Sequence, residues 1–167
     1  MIALEISNIK LFMNKLLNSE AFDSFYLEEA RITTFNEFYI DGRIQKEFYT
    51  TEELEENPAL LKEFSLWKEL RPCCFSLIRG NHTPLHFKLV LHVGDSFFDK
   101  LLKSPELTVD PSLIKSLQLI IKYQTGKLTC ITGTAFHTFV MDKSLESLWD
   151  VALKKSFIAM GIDFSEN

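Results

Sequence analysis

The run Arg71-Pro72-Cys73-Cys74-Phe75-Ser76-Leu77-Ile78-Arg79, then Gly80-Asn81-His82-Thr83-Pro84, then Leu85-His86-Phe87-Lys88-Leu89-Val90-Leu91-His92-Val93, decides how the chain is read. In its last part Leu85, Phe87, Leu89, Leu91 and Val93 alternate with His86, Lys88, Val90 and His92. That period of two predicts a strand with one apolar face. The first part alternates more weakly, with Cys73, Phe75 and Leu77 on one side and Cys74, Ser76 and Ile78 on the other. Gly80 and Asn81 tolerate positive φ, and Pro84 cannot donate to a ladder, so turn chemistry separates the two runs. The stretch is therefore predicted as two strands around a turn, a hairpin at the middle of the chain.

Working outward toward the start, Met1 to Ile6 reads as a short strand, and Ser7 or Asn8 can cap a helix carrying Ile9, Phe12, Met13, Leu16 and Leu17. From Phe25 to Tyr49 the pattern is β-rich. Asp41-Gly42 is the strongest turn signal, because a two-residue type I′ hairpin needs positive φ at both positions. That loop would set Tyr39 opposite Ile44, Glu37 opposite Lys46 and Phe35 opposite Phe48. Thr50 with Glu53 fits a capping box at the head of an acidic connector, and Asn57-Pro58 opens a short helix marked by Leu60, Leu61, Phe64 and Trp67.

Working outward toward the end, Asp95 or Ser96 can cap a helix with Phe97, Phe98, Leu101 and Leu102. Asp110-Pro111 starts a helical turn. Leu117, Leu119, Ile121 and Tyr123 form one strand face, Thr125-Gly126 turns the chain, and Leu128, Cys130 and Thr132 return. Gly133 is read as an end or bulge before a further strand from Ala135 to Met141. Last comes an amphipathic helix with the stripe Leu145, Leu148, Trp149, Ala152, Leu153, Phe157 and Met160, closed by Gly161.

Two segments recur at nearly constant displacement. Phe12 to Leu17 aligns with Phe97 to Leu102 at an offset of 85, and Tyr39 to Ile44 aligns with Tyr123 to Leu128 at an offset of 84. The fold class read from this is α+β, with duplicated β-α-β-β units forming a mainly antiparallel sheet, helices on one face, and a C-terminal amphipathic helix. The chain is read as one domain, 1–167. Its pseudo-repeat halves are about 1–49 and 85–141, its linker and helix 50–69, and its last helix 143–161.

The duplicated unit is similar in topology to the folding unit of DNA sliding clamps. That likeness implies paired helices facing nucleic acid, for which the available cations are Lys10, Lys15, Lys100 and Lys103. Asp95 and Asp99 oppose them, which is thin for phosphate contacts. The chain also resembles a family of uncharacterised bacterial proteins of similar length. The likeness rests on Phe12 to Leu17, Ile40-Asp41-Gly42-Arg43, Arg71-Pro72 with Phe75-Ser76-Leu77-Ile78, Thr83-Pro84-Leu85 and Gly126-Lys127-Leu128-Thr129. It implies a cytoplasmic protein and brings no activity with it.

At 167 residues and 46% hydrophobic, the chain can bury one substantial core, and fifteen Phe make that core aromatic. A net charge of −5 argues against broad capture of nucleic acid or anionic membrane. No apolar run approaches the ~20 residues needed to span a bilayer, and the N-terminus lacks signal-peptide features. Three cysteines make no disulfide framework, which fits a reducing, cytoplasmic setting.

No motif announces catalysis, a cofactor or a metal. His86 and His92 share a strand face but lie roughly 20 Å apart at ~3.3 Å per residue, so they are read as surface histidines. Cys73-Cys74 is not a metal or redox pair, and Gly133-Thr134 is not a phosphate loop. The stretch nominated for binding is Trp67, Arg71, Arg79, His82 and Lys88 around the central turn. The leading reading is a non-catalytic binding or assembly module meeting a protein partner, or a second copy, through a sheet edge or this turn, with no membrane role. Nucleic-acid association through a clamp-like fold is the second reading. An enzyme with a cleft between the halves is the third, and it requires a pocket that gathers titratable side chains.

Overall fold

A computed structural model describes residues 1–167. Its elements run β1 (Ala3–Ile6), α1 (Ile9–Asn18), β2 (Tyr26–Thr33), β3 (Glu37–Asp41), α2 (Thr51–Glu56), α3 (Trp67–Ile78), β4 (His86–His92), α4 (Asp95–Leu102), β5 (Ile114–Gln124), β6 (Lys127–Phe136), α5 (Ser144–Ala159) and β7 (Phe164–Glu166). Three 3-10 turns interrupt the connections, at Lys46–Phe48, Pro58–Leu61 and Pro111–Leu113. The seven strands make one sheet in the order β3-β2-β4-β5-β6-β1-β7, antiparallel at every pairing. The chain is thus α+β with a C-terminal helix, as the sequence predicts.

Period-two patterning fixes the buried side. Leu27, Ala30 and Ile32 of β2 stand beside Leu91, Leu89 and Phe87 of β4, which stand beside Leu119, Ile121 and Tyr123 of β5. These side chains join one apolar cluster with the helices. Phe12 of α1 meets Phe157 of α5, and Phe97 of α4 meets Trp149 of α5. The indole N–H of Trp67 donates to the Leu16 carbonyl and that of Trp149 to the Gln118 carbonyl, so both large rings are buried with their one polar atom satisfied. The opposite sheet face carries Arg31, Lys88 and Lys122 in one cross-strand row.

The centre of the chain differs from its reading. Arg71 to Ile78 is the C-terminal part of α3, not a strand, so no hairpin forms there. Trp67 and Cys74 are buried seven positions apart, and Leu70, Leu77 and Ile78 pack against the same cluster, which is a helical stripe. The weak alternation of Cys73, Phe75 and Leu77 is local. Pro72 sits on the solvent side of the helix, where its missing N–H removes one helical bond without burying the orphan carbonyl.

Asp41-Gly42 is also not a hairpin loop. The hairpin is β2–β3, turning through residues 34–36, and it pairs Arg31 with Tyr39 and Thr33 with Glu37. Gly42 has no positive φ. It is there because the chain passes so close to β2 that a Cβ would lie 1.7 Å from the Leu27 carbonyl oxygen. Its N–H donates to the Glu28 carbonyl at 2.8 Å. The other turn prediction holds: Thr125 and Gly126, at φ of 52° and 76°, join β5 to β6, with Gln124 opposite Lys127. Gly133 lies inside β6 opposite Gln118; Ala135 and Phe136 end that same strand, and residues 137–143 form no strand of their own.

The order strand-helix-strand-strand does occur twice, as β1-α1-β2-β3 and β4-α4-β5-β6. The pairings do not repeat with it. β4 lies beside β5, but β1 lies between β6 and β7 rather than beside β2. Packing of α1 and α4 against different parts of α5 follows from the same arrangement. No helix is long and apolar enough to cross a membrane.

Candidate functional site

The nominated residues divide among four places. Trp67 is fully buried in the core. Arg71 is fastened at the end of α1, donating to the Leu17 carbonyl and to Asp23 at 3.1 Å. Lys88 stands on the sheet face turned away from the main core, paired with Glu29 at 3.0 Å. Only Arg79 and His82 come together, and they line one groove.

That groove, about 700 Å³, lies between the β2–β3 turn and the chain leading from α3 into β4. Phe35, Phe38, Leu77 and Leu85 supply its apolar wall, and Arg79, Asn81 and His82 its polar rim. Phe35 is 85% exposed and Leu85 66% exposed, unusual for side chains that could have joined a core. The rings of Phe35 and Phe38 meet edge to face at 5.5 Å. β3, which carries Phe38, has a strand neighbour on one side only, so its outer backbone edge is unpaired. Along this edge Glu37, Tyr39 and Asp41 share a face, with Arg31 held over the Tyr39 ring.

A second hollow went unread in the sequence. It opens where the insert between β3 and α3 crosses the ends of β2 and β4. Tyr26, the first residue of β2, donates to Asp95, the first of α4, at 3.0 Å, and Lys62 of the insert donates to the same oxygen at 2.8 Å. The Lys62 ammonium holds the Asp95 carboxyl below its ordinary range, and Asp95 holds Lys62 above its own. Burial, reinforced by Asp95, pushes the Tyr26 phenol up.

Beside this trio a β-bulge at Glu28 places two consecutive carboxylates on the same sheet face. Glu28 takes up His92 and accepts from Gln118 at 3.0 Å, while Phe64 covers the imidazole edge. His92 is therefore held inside a polar cluster, not loose on the surface as its strand position suggests. His86 is exposed. No group of three or more His, Cys, Asp or Glu side chains is arranged to hold a metal.

The remaining nominated cations, Lys10 and Lys15 on α1 and Lys100 on α4, with Lys103 directly after it, sit on helices that contact separate parts of α5. Among the cysteines, Cys73 is exposed, while Cys74 and Cys130 are buried. Burial pushes the Cys74 thiol up to about 12, far from the range of a reactive thiolate.

A family model described as "Family of unknown function (DUF5721)" matches residues 15–165. No curated protein and no solved structure matches the chain.

Proposed function

The chain belongs to that family of unknown function, and from its geometry we propose that it is a non-catalytic binding module whose β3 edge takes up an extended segment of a protein partner. The observation that carries this is the unpaired outer edge of β3 running beside the groove of Phe35, Phe38, Leu77 and Leu85. A segment added as an eighth strand gains main-chain hydrogen bonds from the edge, and alternate side chains reach a neighbouring pocket.

Charge selects the occupant. Two copies of β3 paired about a two-fold at Tyr39, the register that uses all five residues, would set Glu37 of one against Asp41 of the other. Like charges directly opposite are unfavourable, so self-pairing through this edge is disfavoured. A partner segment with Lys or Arg spaced to meet Glu37 and Asp41, and apolar side chains on the alternate positions for the groove, meets both demands.

Selection of displayed twelve-residue peptides on the protein tests the reading. Enriched peptides should alternate basic and apolar residues and should perturb backbone amide resonances of residues 37–41. Glu37→Lys with Asp41→Lys should weaken them at least tenfold, as should Phe35→Ser, and both changes are at exposed positions. Enrichment of no sequence class, or binding untouched by these changes, sinks the proposal.

A further inference from the structure

The hollow at Tyr26 has a division of chemistry that suits a small molecule. Three adjoining depressions share Tyr26 and Asp95. The largest, about 600 Å³, runs beneath the insert between Ile44, Tyr49, Leu60, Leu66 and Leu70. Ligand pockets typically measure about 300–1,000 Å³ with apolar walls and a few convergent polar groups. The two smaller depressions, about 230 and 150 Å³, have a mixed lining, and each includes His92, Lys115 and Ser116.

Matching each polar group to its partner shows what the site leaves unused. Tyr26 and Lys62 are both occupied by Asp95, and His92 is occupied by Glu28. The Ser116 hydroxyl oxygen is buried and has no hydrogen-bond partner, a costly state for a polar atom. Its neighbour Lys115 has no carboxylate within ion-pair distance, and both line the two smaller depressions. Against them stand two unpaired carboxylates, both exposed: Glu63, which lines only one of the two, and Glu69, which lines the larger chamber instead.

We propose that the cleft binds a small amphiphilic acid, its apolar body under the insert against Leu60, Leu66 and Leu70 and its carboxylate against Lys115 and the Ser116 hydroxyl. The carboxylate pairs with the free ammonium directly, and a turn about the Ser116 Cα–Cβ bond brings the orphan hydroxyl, closed off from solvent in this structure, out to meet it. The apolar body displaces water from the leucine-lined part, where water finds few partners.

Isothermal titration with octanoate, octan-1-ol and octylamine separates head from body. Octanoate should bind one site at least tenfold more tightly than either of the others. Lys115→Gln should reduce octanoate to the affinity of octan-1-ol while leaving octan-1-ol unchanged. Leu70→Arg should abolish binding of all three, with Leu60→Arg on the surface turn as the alternative if that variant unfolds. The proposal is overturned if octanoate does not bind, if octylamine binds as tightly, or if Lys115→Gln leaves octanoate unaffected.

Discussion

The phenol of Tyr26 and the carboxylate of Asp95 meet at 3.0 Å although 69 positions separate them, and the bond fastens the start of β2 to the start of α4. With Lys62 on the same oxygen, it ties three segments together at one end of the sheet. Asp95 is 57% exposed and Lys62 50% exposed, so solvent screens the pair heavily.

A pH dependence follows from the direction of the shifts. Asp95 titrates lower in the folded chain, first because Lys62 donates to it, so its stabilisation is complete above the unfolded carboxyl range and is lost as pH falls through the folded value. Lys62 and Tyr26 titrate higher when folded, so their contribution is lost as pH rises past about 10. Asp95→Asn should flatten both limbs while costing at most about 1 kcal/mol near neutrality. Urea unfolding at acid, neutral and alkaline pH measures this, and an unchanged pH profile in the variant refutes it.

Thr132 should be more expensive to change. It is 1% exposed, donates to Asp150 at 2.5 Å and accepts from the Ile2 N–H at 2.9 Å, linking β6, α5 and the chain ahead of β1. Thr132→Val keeps the shape and strands both partners. A loss of about 1–3 kcal/mol is expected, which for a chain of this size lowers Tm by about 2–4 °C per kcal/mol. Calorimetry showing no drop would mean that water replaces the hydroxyl.

Two glycines serve different ends, and their alanine variants should show it. At Gly42 a Cβ would lie 1.7 Å from a backbone oxygen of β2, so backbone must move, at about 2–3 kcal/mol or more. At Gly126 there is open space but φ is +76°, so the cost is that of the left-handed region alone, about 1–2 kcal/mol. Equal losses in the two variants would contradict this distinction.

Thiol accessibility gives a direct check on α3. A strand and a helix both separate Cys73 from Cys74, but only the helix buries Cys74 beneath the Trp67 stripe. Ellman's reagent should titrate one thiol in the native protein and three in denaturant, and Cys73→Ser should reduce the native count to zero.

What could be read from the sequence was whatever a single period announces. The alternation from Phe87 to Val93 and from Leu117 to Tyr123, and the stripe of Leu145, Trp149, Leu153 and Phe157, each stand on their own residues and each came out as predicted. Where two patterns overlapped, the local one misled: Cys73, Phe75 and Leu77 imitate a strand, while the controlling spacing begins earlier, at Trp67. Gly42 imitates a turn because a close backbone approach and a positive φ select the same residue. The Tyr26 cleft was not legible at all. It depends on residues near 26, 62, 92, 95 and 115, brought together by the β2–β4–β5 pairing and by the insert. β7, three residues long, gave no signal before its pairing with β1 was seen.

Pro72 follows from that misreading, because it is the residue that hides α3. It stands sixth in the helix, where the absent N–H leaves the Lys68 carbonyl without its helical donor. An interior proline costs about 3 kcal/mol in a helix, less here because the position faces water, which can solvate the carbonyl. Replacing it also frees the unfolded chain, which takes back about 0.4–1 kcal/mol. Pro72→Ala should therefore stabilise the protein by about 1–2 kcal/mol, seen as a higher urea midpoint with an unchanged slope. A midpoint that falls instead would mean that the ring's packing on the outer face of α3 contributes more than the missing hydrogen bond costs.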